Sequence, residues 1–473
     1  MAAAGPAVAK SRAQTALVPA AATLPLAELA PLIAVVSVGD QRVTIWSGDT
    51  VVASAPVSTG MDGHRTPLGV FSVIGKERYH ESNIYSGAPM PFMQRITWSG
   101  VAMHAGALPG YPASHGCIRL PESFAQRLYG MTRMGMRVIV ASRDVSPSAV
   151  SNSALPAPTF VRAAQLASAV PAAAVGRMQL GGPDEPKDRL LNPMERGKME
   201  QGRAKFAAQE AEADVQVLLQ LAAEYSEDAR VTLAAAQTAA VARDTTRFGL
   251  EKARQVASDP ANDAETRARG ETSRLILEAA YAAAVQRSVT AKHRADEADA
   301  HAFRAAAEAK NALAERDTLV QTARVAAKAT EPLSVFVSRK EHRVFVRQGF
   351  EPVFDADVDI ADAETPLGTH VFTAVGAPTE GGALRWVTMT IPGTGRADEP
   401  RGHPAKAALI SQPVSPAVSL PPTAANALAR VKFSDAVLQK ISEKLWTGAS
   451  LIISDYGISD ETGKGTDFVV LTR

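Results

Sequence analysis

Between residues 199 and 330 the chain is built from Ala, Glu, Arg, Gln and Lys with almost no Gly or Pro, a composition that favours long helices over any other backbone state. Val215, Leu218, Ala222, Tyr225, Ala229, Leu233 and Ala236 recur at steps of three and four, the seam spacing of a coiled coil with small residues at many contact positions. Ser258, Asp259, Pro260, Ala261, Asn262 and Asp263 break the run near its middle, and Asp and Asn are residues that cap a following helix. These features predict an antiparallel hairpin whose arms, of about 60 residues each, run about 90 Å at 1.5 Å per residue. Arms of similar length bring the chain back near its start. The segments flanking the hairpin are therefore expected at the same end.

Those flanks are of a different kind. Residues 33–145 read as a compact β unit: Ala34 to Val38, Val43 to Trp46, Thr50 to Ser54 and Val70 to Val73 are short β-branched runs separated by Gly-Asp and Pro-Leu-Gly turns. Residues 146–198 are rich in Ser, Pro, Ala and Gly and read as a linker. Residues 331–473 are β-rich again and repeat the first unit. Val36-Ser37, Arg42-Val43 and Gly48 match Val337-Ser338, Arg343-Val344 and Gly349 at constant offset. Thr66-Pro67-Leu68-Gly69 matches Thr365-Pro366-Leu367-Gly368 after a small shift, and Gly135 to Val140 resembles Gly448 to Ile453. Matches in the same order favour duplication over convergence on a common turn. The second copy has no counterpart of the stretch from His104 to Arg119. A length of 473 residues agrees with about three folding units.

Composition removes several functions. No stretch approaches the roughly 18 apolar residues of a membrane span, and a net charge of +1 leaves no electrostatic footprint for nucleic acid. A single cysteine rules out internal disulfides and any site that needs two thiolates. Residues 1–32, Ala- and Pro-rich with Lys10 and Arg12 near the start, read as an N-terminal tail, with a cleaved leader as the alternative.

The chemistry concentrates in Met103-His104-Ala105-Gly106 and Ser114-His115-Gly116-Cys117-Ile118-Arg119-Leu120. Cys117 has one imidazole two residues before it and another at position 104, a nucleophile with two candidate bases. Attack on an acyl carbon requires thiolate, and a nearby imidazole can depress the thiol pKa or take its proton. Gly116 removes bulk beside the sulfur, so that backbone N–H groups could form an oxyanion hole, and Arg119 offers a fork for a substrate carboxylate. A lone Cys is usually a small hydrophobe and a lone His a hydrogen-bonded filler, but their combination in one Gly-flanked loop favours a nucleophile. A metal site from His64, His80, His104, His115 and Cys117 is the weaker alternative, because no recognised ligand spacing accompanies them. Tyr79, His80, Tyr85, Pro89, Met90, Pro91, Phe92, Met93 and Trp98 are candidates for a peptide groove, with core packing as the alternative. His342, His370 and His403 fall outside any motif.

Ser114-His115-Gly116-Cys117-Ile118-Arg119-Leu120, preceded by His104, Ser58-Thr59-Gly60 and Thr66-Pro67-Leu68-Gly69-Val70-Phe71, resembles the YkuD-type L,D-transpeptidase catalytic domain. Residues 331–473 resemble a degenerate second copy. The resemblance implies Cys117 as nucleophile, His104 as general base and the Ala105 carbonyl as its orienter. It places His115, Gly116 and the Cys117 N–H, with Ser114, around the oxyanion, and Arg119 on a substrate carboxylate; Tyr79, Met90, Pro91, Phe92 and Trp98 would line the groove. Two departures from the family pattern are a short interval between His104 and Cys117 and an Ala at position 105. The implied reaction is acyl transfer on peptidoglycan stem peptides in the periplasm or cell envelope, without cofactor or metal.

The expected fold class is multidomain α+β: a mostly-β catalytic unit, a long antiparallel coiled-coil hairpin and a second β-rich unit. The hairpin could also carry self-association. Hydrolysis or protein anchoring through the same acyl-enzyme remains open, as does a non-catalytic envelope scaffold, and the second β unit could serve as a lid.

Overall fold

The computed structural model describes residues 30–83, 87–163, 189–376, 383–393, 423–463 and 465–472. Residues 1–29 of the expected tail, the middle of the expected linker, Tyr85 and His403 lie outside the described residues. The chain divides into two compact units, one of residues 198–327 and the other containing the β segments on both sides of it.

The N-terminal β segment contains β1 (Leu32–Ser37), β2 (Arg42–Ser47), β3 (Thr50–Pro56), β4 (Gly69–Ser72), β5 (Gly75–Glu77), β6 (Met93–Arg95), β7 (Ala102–Ala105), β8 (Ile118–Leu120), helix α1 (Glu122–Met131) and β9 (Arg137–Ala141). After it come β10 (Ser148–Val150), β11 (Val161–Arg162), β12 (Leu190–Leu191) and the helices α2 (Pro193–Ser258) and α3 (Ala264–Lys328). The C-terminal β segment contains β13 (Leu333–Ser338), β14 (Arg343–Gln348), β15 (Glu351–Asp357), β16 (Asp359–Ile360), β17 (Thr369–Gly376), β18 (Arg385–Ile391), α4 (Ala424–Arg430), β19 (Val431–Lys432), α5 (Asp435–Ser442), β20 (Ser450–Ser454) and β21 (Val470–Leu471).

Two large sheets repeat one plan. The first has the order β21-β4-β9-β1-β2-β3 and the second β10-β18-β17-β20-β13-β14-β15, with β1 parallel to β9 and β13 parallel to β20. The correspondence extends to irregularities. Gln41 and His342 both take positive φ, as do Gly48 and Gly349, and a register shift falls between Ile45 and Trp46 in one copy and between Val346 and Arg347 in the other. Shared bulges and left-handed turn residues are what duplication preserves and what convergence on Pro-Leu-Gly turns does not explain.

Neither sheet is built from one segment alone. The C-terminal β21 pairs with β4 (Val470 opposite Val70, Leu471 opposite Gly69), and β10, from the expected linker, pairs with β18. The close approach of β21 explains Gly69: a Cβ there would lie 2.1 Å from the Val470 carbonyl oxygen, on a backbone with φ of +150°. Central strands are buried on both faces, so they read as continuous apolar runs. In β1, Ala34 and Val36 join a core with Phe71, Met103, Ile118, Leu120 and Leu128, while Ile33 and Val35 pack with Phe336, Ile452 and Phe468 of the C-terminal copy. The two sheets thus exchange edge strands and share a core. Within that shared layer Arg137 and Asp467 pair at 2.7 Å, with side-chain exposures of 7% and 10%.

The helical unit forms the expected pair of helices, 66 and 65 residues long. Helix α2 begins at Pro193 rather than at 199, because Asn192 and Glu195 form a reciprocal cap: the Asn192 side chain accepts from the Glu195 N–H at 2.8 Å and the Glu195 carboxylate from the Asn192 N–H at 3.1 Å. Proline is favoured at the first helical position because its missing donor is not needed there. Asp263 caps α3 by accepting the Thr266 N–H at 2.6 Å. Gly270, Ala284, Ser288, Ala295, Ala298, Ala305 and Ala309 form the buried line of α3, and small side chains let the backbones approach closely: a Cβ on Gly270 would sit 2.8 Å from the Ala257 nitrogen. On α2 the expected seam holds except at Leu233, which is 53% exposed; the half-buried residue there is Thr232. Among the described residues no helix is long and apolar enough to cross a membrane.

Candidate active site

The smaller sheet, β5-β6-β7-β8, positions the candidate site residues. Strands β7 and β8 run parallel with Met103 opposite Ile118, His104 opposite Arg119 and Ala105 opposite Leu120. Cys117, immediately before β8, is thereby brought beside the strand that holds His104. Both line a cavity of about 570 Å3, together with Met90, Pro91, Gly100, Val101, Ser114, His115 and Arg119. A second cavity of about 400 Å3 lies between the two sheets around Arg137, Ser334, Arg347 and Asp467; neither Cys nor His is among its described lining residues.

Local bonds hold the Ser-His-Gly-Cys turn. The Ser114 hydroxyl donates to the Cys117 carbonyl at 2.5 Å and accepts from the Gly116 N–H at 3.1 Å. Thr66 accepts from the Gly60 N–H and donates to the Gly116 carbonyl, both at 2.9 Å. The Cys117 thiol donates to the Gly100 carbonyl at 3.7 Å, and its side chain packs against Met90, Met93 and Ala102. His104 is 7% exposed, and its Nδ1 lies 2.8 Å from the Ala105 carbonyl oxygen. A carbonyl can only accept, so Nδ1 carries the proton and Nε2 the lone pair.

With this geometry in place the comparisons are specific. Residues 31–140 match the family model described as the L,D-transpeptidase catalytic domain, YkuD. This region is a YkuD-type domain. Solved L,D-transpeptidases similar to the chain include those of Stackebrandtia nassauensis (26% identity, 23% of this chain and 55% of that one, TM-score 0.22) and Mycobacterium smegmatis (25%, 24% and 58%, TM-score 0.22). A third is from Mycobacterium tuberculosis H37Rv (27%, 24% and 57%, TM-score 0.22). The chain thus spans a little over half the length of these structures. No curated protein matches.

Electrostatics in the YkuD domain separate two ways of making a thiolate. Burial pushes the Cys117 thiol above its ordinary value, against smaller opposing effects of the Ala102 backbone, Arg119 and Arg95. Burial also pushes His104 below the ordinary imidazole range; its bond to the Ala105 carbonyl opposes this and Arg119 reinforces it. Both shifts favour the uncharged form. Of the two sequence-based alternatives, burial therefore opposes a depressed thiol pKa and leaves proton removal by the imidazole as the expectation.

Other expectations divide. Gly116 has φ of +113°, and a Cβ there would meet nothing closer than 3.8 Å; the glycine answers to backbone conformation, not to bulk beside the sulfur. Its N–H is already given to Ser114. His115 is exposed and meets His64 edge-on, ring centroids 4.7 Å apart. Arg119 lines the cavity, its stem packed over Gly106, and among the described residues it forms no ion pair. Met90 and Pro91 line the cavity; Tyr79, Phe92 and Trp98 do not. Tyr79 is 62% exposed and bonded to Glu81, Trp98 is 49% exposed, and Phe92 packs against the core and Tyr129. His80 pairs with Glu77 at 2.9 Å. Among the described residues no group of three His, Cys, Asp or Glu side chains could hold a metal ion. His370 is a buried structural residue, its Nε2–H donating to the Leu367 carbonyl at 2.8 Å.

Sequence reasoning did not single out Gln41, which braces Thr59 behind the Ser-His-Gly-Cys turn. Its amide donates to Thr59 Oγ1 at 2.7 Å and its carbonyl accepts from the Thr59 N–H at 3.0 Å, while Thr59 O accepts from the Ser114 N–H at 3.0 Å. No local pattern marks a glutamine at a strand turn. Thr66 was legible only as part of the Thr-Pro-Leu-Gly signature. Ser114→Ala removes both side-chain bonds inside the Ser-His-Gly-Cys turn, leaving a buried N–H and a part-buried carbonyl short of a partner, at a cost of up to about 1–3 kcal/mol each. We expect the variant to react with a carbapenem about tenfold more slowly, as small misplacements at a reacting centre do. Intact-mass time courses check this, and an unchanged rate would mean that Ser114 does not hold the turn.

Proposed function

We propose that the chain is a cysteine L,D-transpeptidase of the cell envelope, acting on peptidoglycan stem peptides and forming 3,3 cross-links. The observation that carries the reading is that Cys117 and a His104 with its lone pair on Nε2 open onto one cavity.

In the first half-reaction Nε2 of His104 takes the Cys117 proton as sulfur attacks the carbonyl carbon of the L-centre of the diamino acid at stem position three. The carbonyl becomes an oxyanion facing the Cys117 N–H and the His115 side of the turn. On collapse the bond to the terminal D-Ala breaks, its nitrogen receives the proton from His104, and a thioester remains. In the second half-reaction the side-chain amine of a neighbouring stem attacks the thioester, His104 takes a proton from that amine, and sulfur leaves and is reprotonated. Thioesters suit this because thiolate is a good leaving group towards amines. Arg119 supplies a cation for a substrate carboxylate. Met90 and Pro91 offer an apolar wall.

Purified tetrapeptide stem tests the reading. Mass analysis should find a cross-linked dimer and released D-Ala; free tripeptide without dimer would assign a carboxypeptidase, and unchanged tetrapeptide would defeat the enzymatic reading. The C-terminal copy contributes nothing to the described lining of the cavity, which disfavours a lid. Cutting the chain before Glu331 is no test of that idea, because it also removes β21 from the first sheet.

A further inference from the structure

The turn at residues 97–101 connects β6 to β7 and supplies Ser99, Gly100 and Val101 to the cavity wall. Within the turn, the Ile96 and Thr97 N–H groups donate to the Val101 carbonyl at 2.9 and 3.3 Å, Val101 N–H and the Ser99 hydroxyl to Thr97 Oγ1 at 2.9 and 3.0 Å, and Gly100 N–H to the Thr97 carbonyl at 3.3 Å. The two N–H groups at its apex point elsewhere. Trp98 N–H donates to Glu461 Oε2 at 2.6 Å and Ser99 N–H to Glu461 Oε1 at 3.1 Å. One carboxylate from the C-terminal segment thus spans two successive amides of the turn whose Gly100 carbonyl receives the Cys117 thiol.

Glu461 is itself moored. Its N–H donates to Ser459 Oγ at 3.2 Å, its carbonyl accepts from Thr466 Oγ1 at 3.4 Å, and past β21 the Thr472 N–H donates to the Leu68 carbonyl at 3.0 Å. Bonds from amides to an ionised carboxylate are roughly twice as strong as neutral ones. They lie at the surface, where water can replace the carboxylate, so their loss frees the turn without leaving buried donors stranded.

We propose that Glu461 is a positioning residue for the cysteine site, holding the turn at residues 97–101 so that Gly100 and Val101 keep the place of the thiol and the shape of the wall beside it. The role in acylation rests on the L,D-transpeptidase reading; the hold on the turn does not. The duplicated copy, which lacks the catalytic stretch, thereby contributes to the site from outside the YkuD-type domain.

The test compares the full chain with Glu461→Ala, Glu461→Gln and the neighbouring, exposed Asp460→Asn. For Glu461→Ala we expect the carbapenem acylation rate at saturating drug to fall about tenfold, with half-saturation changed less than about twofold and little change in Tm. Glu461→Gln, which retains one acceptor, should lie between Ala and wild type, and Asp460→Asn should match wild type. Amide exchange at Trp98 and Ser99 should accelerate in Glu461→Ala. Wild-type acylation and exchange in that variant would overturn the proposal, as would an equal loss in Asp460→Asn. Should Glu461→Ala fail to fold, Glu461→Gln decides by the same readouts. If the wild-type chain itself takes up no drug, the enzymatic reading falls, and the exchange rates alone still judge the hold on the turn.

Discussion

Replacing His104 by alanine is expected to slow acylation of Cys117 by a carbapenem ~10²- to 10⁴-fold, the range over which a positioned proton acceptor acts, and Cys117→Ala to take up no drug mass at all. The large effect follows from the resting charge state. A thiol whose pKa is raised by burial is mostly protonated near neutral pH, so attack is expected to depend on passing its proton to Nε2. A preformed thiolate–imidazolium pair would lose less on removal of the base. The pH profile carries the same distinction. Because the His104 pKa is depressed, the imidazole stays unprotonated from below the ordinary imidazole range upward. Acylation should therefore be flat through neutrality and fall only when acid reaches that lowered value. Iodoacetamide, which reads thiolate directly, should be slow at neutral pH, rise about tenfold per pH unit and level off only above the ordinary thiol range. Rapid alkylation at pH 6, or an acylation midpoint at or above the ordinary imidazole value, would reverse the assignment of charge.

Arg137→Met should cost about 3–5 kcal/mol of unfolding free energy, the usual loss when one member of a buried ion pair is removed and the other is left uncompensated. The guanidinium donates to Asp467 at 2.7 Å and to Ser450 at 2.8 Å, and Ser334 donates to the same Asp467 oxygen at 2.6 Å. Arg137 belongs to β9 of the first sheet, while all three partners come from the C-terminal segment, so the lesion falls where the two copies meet. The methionine stem keeps most of the volume, which isolates charge from packing. Arg137→Met combined with Asp467→Asn removes the stranded charge and should recover more than half of the loss. Urea unfolding monitored on both β segments checks this. A loss below about 1 kcal/mol, the level of exposed pairs, would show that the pair contributes little beyond the packing around it.

What could be read in advance depended on how local the signal was. Ser114 to Arg119 was legible because the residues that build the turn are contiguous, and the helical hairpin because its repeat lies within a few residues and its break is rich in capping groups. The fit failed where geometry rather than pattern decides. Leu233 fits a three-and-four spacing as well as Thr232 does, and only the facing helix selects between them. Tyr79, Phe92 and Trp98 have the chemistry of groove residues, but exposure or packing elsewhere withdraws them from the cavity. Pro193 and Ser148 sat in a stretch whose composition suggested a linker; a capping box and an edge strand made them part of the fold.

Residue types and short-range periodicity thus determined that there would be two β segments around a helical hairpin, that one β segment would carry a cysteine beside two histidines, and that the other would lack it. Tertiary structure alone decided that β21 closes the first sheet, that Arg137 meets Asp467, that burial disfavours the charged forms of His104 and Cys117, and that Glu461 reaches the turn beside the thiol. The division has a physical origin. Helix seams and catalytic turns are specified by side chains a few positions apart, whereas strand exchange, desolvation and the pKa of a buried group depend on which surfaces, hundreds of residues apart in sequence, are removed from water together.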